Sequence, residues 1–179
     1  MLQTHLETER LMLRLFQSTD AKSVQKLAGH EEIARTTLGI PHPYPDGVAE
    51  AWIEHVRRAA ERGEMFSFAL IRKEDHQLIG CVSLRVKSAN DGELAYWVGR
   101  PYWGQGFATE ASKKVVNFGF EVLGLNRVYA KAMTKNPASY KVMSKIGMKY
   151  KETLSRHLLK SGVYEDLVLY EMTRPKSMI

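Results

Sequence analysis

The segment from residue 66 to residue 98 constrains the fold more than any other part of this sequence. Three apolar segments with strand-like alternation, at residues 66–70, 79–86 and 93–98, are separated only by short polar turns. A parallel connection needs a crossover of about a dozen residues, whereas antiparallel neighbours can be joined by a tight turn. The spacing therefore predicts an antiparallel meander of three strands.

The sequence pattern changes after Gly99. A glycine-rich loop follows, and predicted helices over residues 108–123 and 137–146 flank a predicted strand over residues 127–133. The other predicted elements are a strand at 10–16, helices at 21–28 and 48–62, and strands at 148–154 and 166–172. This order of strands and helices predicts an α/β (α+β) domain, in which a mixed sheet carries helices on its faces.

The composition predicts one soluble globular domain that spans residues 1–179. The chain has 179 residues, 44% hydrophobic and 26% charged, and no run of about 18 apolar residues that could span a bilayer. Its amino terminus lacks the basic start and apolar stretch of a signal peptide. Cys81 is the single cysteine. We therefore expect a cytoplasmic protein in which Cys81 is a small buried hydrophobic residue.

The charged residues and histidines indicate which partners to exclude. The net charge of +6 comes from short basic pairs such as Arg57-Arg58, and no continuous basic stripe is present. We therefore predict no nucleic-acid partner and, without a bilayer-spanning run, no membrane partner. The six histidines lack the i, i+4 spacing of helix-borne metal ligands, and one cysteine cannot complete a zinc site. No metal is predicted.

Residues 103–110 read Trp-Gly-Gln-Gly-Phe-Ala-Thr-Glu and join a strand to a helix. The first turn of a helix has unpaired N–H groups and a positive dipole end, so this loop is a candidate for binding a diphosphate. It is not a Walker loop, because Gly106 is followed by Phe107 and not by lysine. A Rossmann fingerprint would require glycine where Thr109 stands. Plain turn chemistry remains the alternative.

Two ordered segments make the chain resemble the GNAT acetyltransferases. The loop is similar to their acyl-CoA-binding pattern Arg/Gln-x-x-Gly-x-Gly/Ala, in which Gly106 and Ala108 match and Trp103 replaces the first polar residue. Residues 136–148 resemble a second family signature, Asn-x-x-Ser followed by Lys-x-Gly-Phe. The tripeptide Tyr-Glu-Asp at residues 164–166 is similar to the ending of the ribosomal-protein N-terminal acetyltransferase branch.

The resemblance implies a GNAT fold, a mixed twisted sheet of about six or seven strands flanked by about four helices. It also implies that two central strands diverge and that the pantetheine arm of acetyl-CoA, the predicted cosubstrate, lies between them. The predicted cofactor-binding residues are Tyr96, Trp97, Val98, Gly104, Gln105, Gly106, Phe107, Ala108, Thr109, Asn136 and Ser139. Lys141 and Lys145 are interpreted as solvent-exposed lysines outside the site.

Glu93 and Ser139 are the predicted catalytic residues. Amine acetylation needs a base, because an α-amino group (pKa about 8) and an alkylammonium group (about 10.4) are protonated near neutral pH. The resemblance places the Glu93 carboxylate in the cleft, acting through water; the alternatives are an ordinary strand-edge role and His157 as the base. Many family members protonate the departing thiolate with a tyrosine where Met143 stands here. Ser139 is the predicted substitute, with helix capping as its alternative role.

The predicted function is acetyl-CoA-dependent N-acetylation of a primary amine, with the amino terminus of a protein, such as a ribosomal protein, as acceptor. The alternative acceptor is a small amine such as an aminoglycoside, a polyamine or an amino-acid analogue. A second alternative is a module that binds acyl-CoA without catalysis, which the absence of the common tyrosine favours. The sequence is also compatible with a homodimer.

Overall fold

The computed structural model describes residues 2–178, which contain one mixed sheet of eight strands with helices on both faces. The strands are β1 (Leu6–Glu7), β2 (Leu11–Leu15), β3 (Met65–Arg72), β4 (Leu78–Val86), β5 (Asp91–Val98), β6 (Arg127–Met133), β7 (Lys149–Lys160) and β8 (Val163–Thr173). The α-helices are α1 (Ala21–Ala28), α2 (Glu31–Thr36), α3 (Val48–Glu61), α4 (Phe107–Glu121) and α5 (Pro137–Lys145). The predicted fold class is confirmed.

The strands lie in the order β1-β2-β3-β4-β5-β6-β8-β7. Neighbouring strands are antiparallel except β5 and β6, which run parallel. β3, β4 and β5 form the meander that the short polar turns predict. The parallel pair is connected through α4, as a crossover requires.

The described residues contain more elements than predicted, eight strands and five α-helices against about six or seven strands and about four helices. β1 has only two residues and α2 only six, too short for an apolar period to register. α2 begins at a cap in which Nδ1 of His30 accepts a hydrogen bond from the N–H of Glu32 at 3.3 Å. β7 continues to Lys160, beyond the predicted end at residue 154, because pairing with β8 defines this largely exposed strand.

Apolar layers cover both faces of the sheet. α4 and α5 pack on one face, where Phe118 contacts Phe66 and Phe68 edge-to-face with ring centroids 5.4 Å apart. α1 and α3 pack on the other face, against β3 and β4. On this second face the side chains of Glu93 and Lys131, from β5 and β6, stay only partly buried. This part of the sheet is therefore accessible to a bound molecule.

β5 and β6 separate partway along their length. Their parallel pairing covers residues 91–94 of β5 and 127–130 of β6, and then stops. β5 continues to Val98, paired with β4 alone. The divergence implied by the family resemblance is therefore present, and residues 95–98 have no strand partner on the β6 side.

Two further findings concern membranes and metals. No helix within residues 2–178 has both the length and the apolar character needed to cross a membrane. Over the same described range, no three His, Cys, Asp or Glu side chains are grouped closely enough to hold a metal ion. Cys81 is buried as expected, and burial raises the pKa of its thiol to about 12, so it is not a thiolate near neutral pH.

Candidate active site

Two cavities meet where β5 and β6 separate. The first, of about 480 Å³, is bounded by the loop before α4 and by the start of α5, and we call it the loop cavity. The second, of about 580 Å³, lies over β4, β5 and β6, on the same face of the sheet as α1 and α3, and we call it the sheet cavity. Thr36, Thr37, Tyr96, Trp97 and Ser139 line both. Molecules bound in the two cavities can therefore meet at these residues.

The loop cavity brings together most of the residues predicted to bind the cofactor. Those that line it are Tyr96, Trp97, Val98, Gly104, Gly106, Phe107, Ala108, Thr109, Asn136 and Ser139. Gln105 does not line it, and its side-chain amide donates to the carbonyl of Pro101 at 3.4 Å. Lys141 and Lys145, which the sequence interpretation leaves outside the site, both line this cavity. Its wall therefore carries two positive charges.

Gly104 and Gly106 give the loop a backbone shape that other residues rarely adopt. Their φ angles are +73° and +81°, in the left-handed region. Gly106 is the N-cap of α4, and Phe107 begins the helix. The N–H groups of this first turn lie at the cavity wall beside these two glycines, which have no side chains. Trp103 also lines the cavity, and its Nε1 donates to the Val98 carbonyl at 2.6 Å. Such a helix start is well suited to bind a phosphate group.

Arg10 and Glu110 hold this loop against the amino-terminal part of the chain. The Arg10 guanidinium lies 4.1 Å from the centroid of the Phe107 ring, and its Nη1 donates to the carbonyl of Gln105 at 2.8 Å. Its Nε donates to Glu110 Oε1 at 2.8 Å, while Oε2 accepts from Thr8 Oγ1 at 2.5 Å. No sequence pattern predicts this brace, because Arg10 and Glu110 are 100 positions apart.

The hydrogen bonds to Glu110 also affect its titration. Burial acts to raise the pKa of this carboxyl, but the hydrogen bonds from Thr8 and Arg10 outweigh burial and hold the pKa below its ordinary value. A carboxyl with a lowered folded-state pKa contributes stability above its unfolded pKa, about 4.3, and loses it as pH falls through the folded-state pKa. The ionised Glu110 is therefore the form that stabilises the loop.

We expect Glu110→Gln to lower the Tm at neutral pH, because the amide accepts weaker hydrogen bonds and leaves Arg10 without its charge partner. The difference in Tm from the wild type should shrink as pH falls from about 7 to below about 4, where the wild-type carboxyl becomes protonated. Thermal melts across this range measure the difference. Glu121→Gln, at an exposed position of the same helix, is the control. A Tm difference that does not depend on pH would contradict a role for the charge.

At the junction of the two cavities, Tyr96 and Ser139 form a hydrogen-bonded pair. The Tyr96 hydroxyl donates to the backbone carbonyl of Ser139 at 2.6 Å and lies 3.0 Å from Ser139 Oγ. Burial raises the pKa of Tyr96 to about 12, although the hydrogen bond with Ser139 acts to lower it. Tyr96 is therefore protonated near neutral pH and can fix the first turn of α5. Sequence reasoning missed this role, since it named Tyr96 only among the cofactor-binding residues.

Three more residues that the sequence analysis names differ in where they lie relative to the two cavities. Nδ2 of Asn136 donates to the carbonyl of Thr36 at 3.0 Å, so this amide ties the start of α5 to the end of α2. Met143 is buried in the core and lines neither cavity. His157 is exposed on β7 and also lines neither. Of the two candidate bases, the structure brings only Glu93 to the site.

Glu93 lies in the sheet cavity, together with Arg85 and Lys131. Arg85 on β4 is its cross-strand partner, and Nζ of Lys131 on β6 lies 3.8 Å from Glu93 Oε2. The hydroxyls of Ser67 and Ser83, 2.7 Å apart, add polar groups to the cavity wall. Among the described residues that line this cavity, Glu93 is the one carboxylate. It can therefore accept a proton from a group bound there.

Comparison with known proteins decides the class of reaction. The family model of the acetyltransferase (GNAT) domain matches residues 10–149. The chain belongs to the GNAT acetyltransferase family. It is therefore an N-acetyltransferase, and the match includes β5, β6, α4 and α5, the elements around both cavities.

Relatives in sequence and structure agree with membership of the GNAT family. The uncharacterized N-acetyltransferase YoaA of Bacillus subtilis is 27% identical over 173 residues, which cover 96% of this chain and 97% of YoaA. The ribosomal-protein-S5-alanine acetyltransferase of Vibrio fischeri has a TM-score of 0.84 at 22% identity, over 96% of this chain and 97% of its own. The spermidine N-acetyltransferase of Vibrio cholerae, solved with CoA and spermine, has a TM-score of 0.80 at 18% identity, over 93% of this chain and 97% of its own. The two solved structures are named for different amines, so the acceptor has to be inferred from the site of this chain.

Proposed function

We propose that this GNAT enzyme transfers the acetyl group of acetyl-CoA to the amino terminus of a protein. The observation that carries the proposal is the meeting of two cavities at Tyr96 and Ser139. One cavity has the backbone geometry that suits a diphosphate, and the other holds the carboxylate of Glu93. A thioester in the first and an amine in the second would be held close enough to react.

The loop cavity supplies the groups that would bind acetyl-CoA. The free N–H groups at the start of α4 would hold the diphosphate, since Gly104 and Gly106 permit its close approach. Residues 96–98 have no strand partner on the β6 side, and their backbone groups there would hydrogen-bond to the amides of the pantetheine arm, except the Val98 carbonyl, which already accepts from Trp103 Nε1 at 2.6 Å. The ammonium groups of Lys141 and Lys145 would pair with the ribose phosphate.

Glu93 and Ser139 would divide the proton transfers. Acetyl-CoA supplies a thioester whose acyl carbon gains a bond to the amine nitrogen and loses its bond to sulfur. Glu93 would accept, directly or through water, the proton of the ammonium form, which predominates at neutral pH because the α-amino group has a pKa of about 8. The second proton, which nitrogen loses as the amide bond forms, would pass through water to the departing thiolate. Ser139 would donate a hydrogen bond to the departing sulfur by turning its hydroxyl proton from the Tyr96 oxygen to the sulfur, since the Tyr96 hydroxyl itself donates to the Ser139 carbonyl. The Tyr96 hydroxyl would keep Ser139 in position for this role.

The acceptor assignment is supported by the accessibility of the sheet cavity. The side chains of Glu93 and Lys131 remain 23% and 24% exposed, so a polypeptide whose amine reaches Glu93 could continue into solvent. An α-amino group is also easier to deprotonate than an alkylammonium group, with a pKa of about 8 against about 10.4. The tripeptide at residues 164–166, similar to the ribosomal-protein branch, points to the same acceptor.

A comparison of acceptors tests the proposed function. Thiol release from acetyl-CoA is measured with amino-terminal peptides of ribosomal proteins, and separately with spermidine, an aminoglycoside and free amino acids. We expect the peptides to have the highest kcat/KM and mass spectrometry to locate the acetyl group on their α-amine. A higher kcat/KM for any of the small amines would refute the proposed acceptor.

A further inference from the structure

The charges around Glu93 indicate a feature of the acceptor beyond its amine. Arg85 and Lys131 line the sheet cavity with Glu93. Arg85 is directly opposite Glu93 on β4, and such cross-strand pairs share one face with Cβ atoms about 4.5–5.5 Å apart. Nζ of Lys131 is 3.8 Å from Glu93 Oε2, too long for a hydrogen bond. Two cations therefore flank one anion where the amine must lose its proton.

This arrangement disfavours an acceptor that carries only a positive charge. An ammonium group that approaches Glu93 also approaches Lys131 and Arg85, and like charges at such distances repel. Lys131 moreover competes with the incoming amine for the Glu93 carboxylate. An acceptor with an anionic group near its amine avoids both penalties, because its anion pairs with Lys131 and leaves Glu93 for the amine.

The exposure of the two cations indicates where that anion lies on the acceptor. Arg85 is exposed and the Lys131 side chain is 24% exposed, so both reach the solvent side of the cavity. With the amine at Glu93, this side would meet the second residue of a peptide. On the basis of the proposed function, we propose that the acceptor is a protein amino terminus with Asp or Glu at its second position, whose carboxylate pairs with Lys131.

Two peptides that differ in one group test this specificity. They begin Ser-Asp and Ser-Asn and are otherwise identical. We expect a kcat/KM about tenfold higher for the Ser-Asp peptide, the effect of one charge-assisted hydrogen bond, mainly through a lower KM. The preference should weaken as salt is raised, because screening shortens the range of the interaction.

Lys131→Met removes the charge but keeps most of the side-chain length, and we expect it to bring the ratio of the two kcat/KM values close to one. Lys113→Met is the control, because Lys113 is exposed on α4, on the opposite face of the sheet, and should leave the ratio unchanged. Equal use of both peptides by the wild-type enzyme would overturn the inference. A preference that persists in Lys131→Met would overturn it as well.

The proposed function can fail separately from this inference. If neither peptide is acetylated while small amines are, the protein acceptor is wrong. The kcat/KM values are then compared for β-alanine and its amide, which differ in the carboxylate. A preference for β-alanine that Lys131→Met removes would support recognition of an anion at this site. A ratio close to one would overturn it for small acceptors too.

Discussion

Glu93→Gln is expected to slow acetyl transfer by about 10² to 10⁴ at neutral pH while leaving the affinity for CoA unchanged. The substitution keeps the size of the side chain and removes its basicity, and Glu93 lines the sheet cavity but not the loop cavity. The defect should become smaller at high pH, because an α-amine with a pKa of about 8 then loses its proton to solvent. Thiol release measured between about pH 6 and pH 9.5 gives the profile. Isothermal titration with CoA gives the affinity.

Ser139→Ala is the contrasting variant, because the proposed roles of Ser139 and Glu93 differ. A thiol has a pKa of about 8.5, so the thiolate is already a fair leaving group near neutrality and loss of one hydrogen-bond donor should cost less than loss of the base. High pH should not restore the Ser139→Ala rate. A Glu93→Gln enzyme with the wild-type rate and pH profile would refute the assignment of Glu93. The base would then be sought at His55, the one histidine among the described residues that line the sheet cavity, or in bulk water, since His157 lies outside both cavities.

Gly106→Val is expected to raise the Kd for CoA by about tenfold or more. Gly106 has a φ of +81°, and a β-branched residue held in that region is strained by about 1–3 kcal/mol. Relief of the strain would rotate the peptide planes at the start of α4 and turn their N–H groups away from the loop cavity. If the strain persists instead, the valine side chain meets the Arg10 guanidinium, since a Cβ at residue 106 would lie 3.5 Å from Arg10 Nη2, and it disturbs the contacts that hold the loop. Titration calorimetry with CoA measures the change.

A matched control separates loss of cofactor binding from loss of stability. Gly124→Val places the same residue at a φ of +70°, at a position that lines neither cavity. A side chain at this position would meet open space, because no neighbouring atom lies within 4 Å of where its Cβ would be. Both variants should lose a few degrees in Tm, about 2–4 °C for each kcal/mol of strain. Only Gly106→Val should lose CoA affinity. A folded Gly106→Val protein with wild-type affinity would show that Gly104 and Gly106 form a turn and nothing more.

The sequence predicts the elements whose signals are local. The strand predicted at residues 127–133 has the observed bounds of β6, and α5 ends one residue before the predicted end at 146. In both elements, the apolar residues that indicate the period lie within a few positions of the turn or helix-start residues that indicate the bounds. The loop before α4 is predictable for the same reason, because its glycines and the helix start are adjacent. The backbone geometry of this loop is therefore the most predictable part of the candidate site.

The contacts that join these elements cannot be read from local patterns. Tyr96 and Ser139 are 43 positions apart, and only the packing of α5 against β6 and α4 brings their hydroxyls within 3.0 Å. Lys131 reaches Glu93 because β5 and β6 pair in parallel with Glu93 opposite Tyr129, a register that no sequence period determines. The electrostatic setting of the candidate base therefore emerges only from the three-dimensional structure.

A crystal structure with acetyl-CoA is the most direct test that the two cavities form one acyl-transfer site. We predict that the diphosphate lies against the N–H groups at the start of α4 and that the thioester reaches the junction, within hydrogen-bond distance of Ser139 Oγ and facing Glu93. Acetyl-CoA bound outside the loop cavity, or a thioester that points away from the junction, would contradict the account.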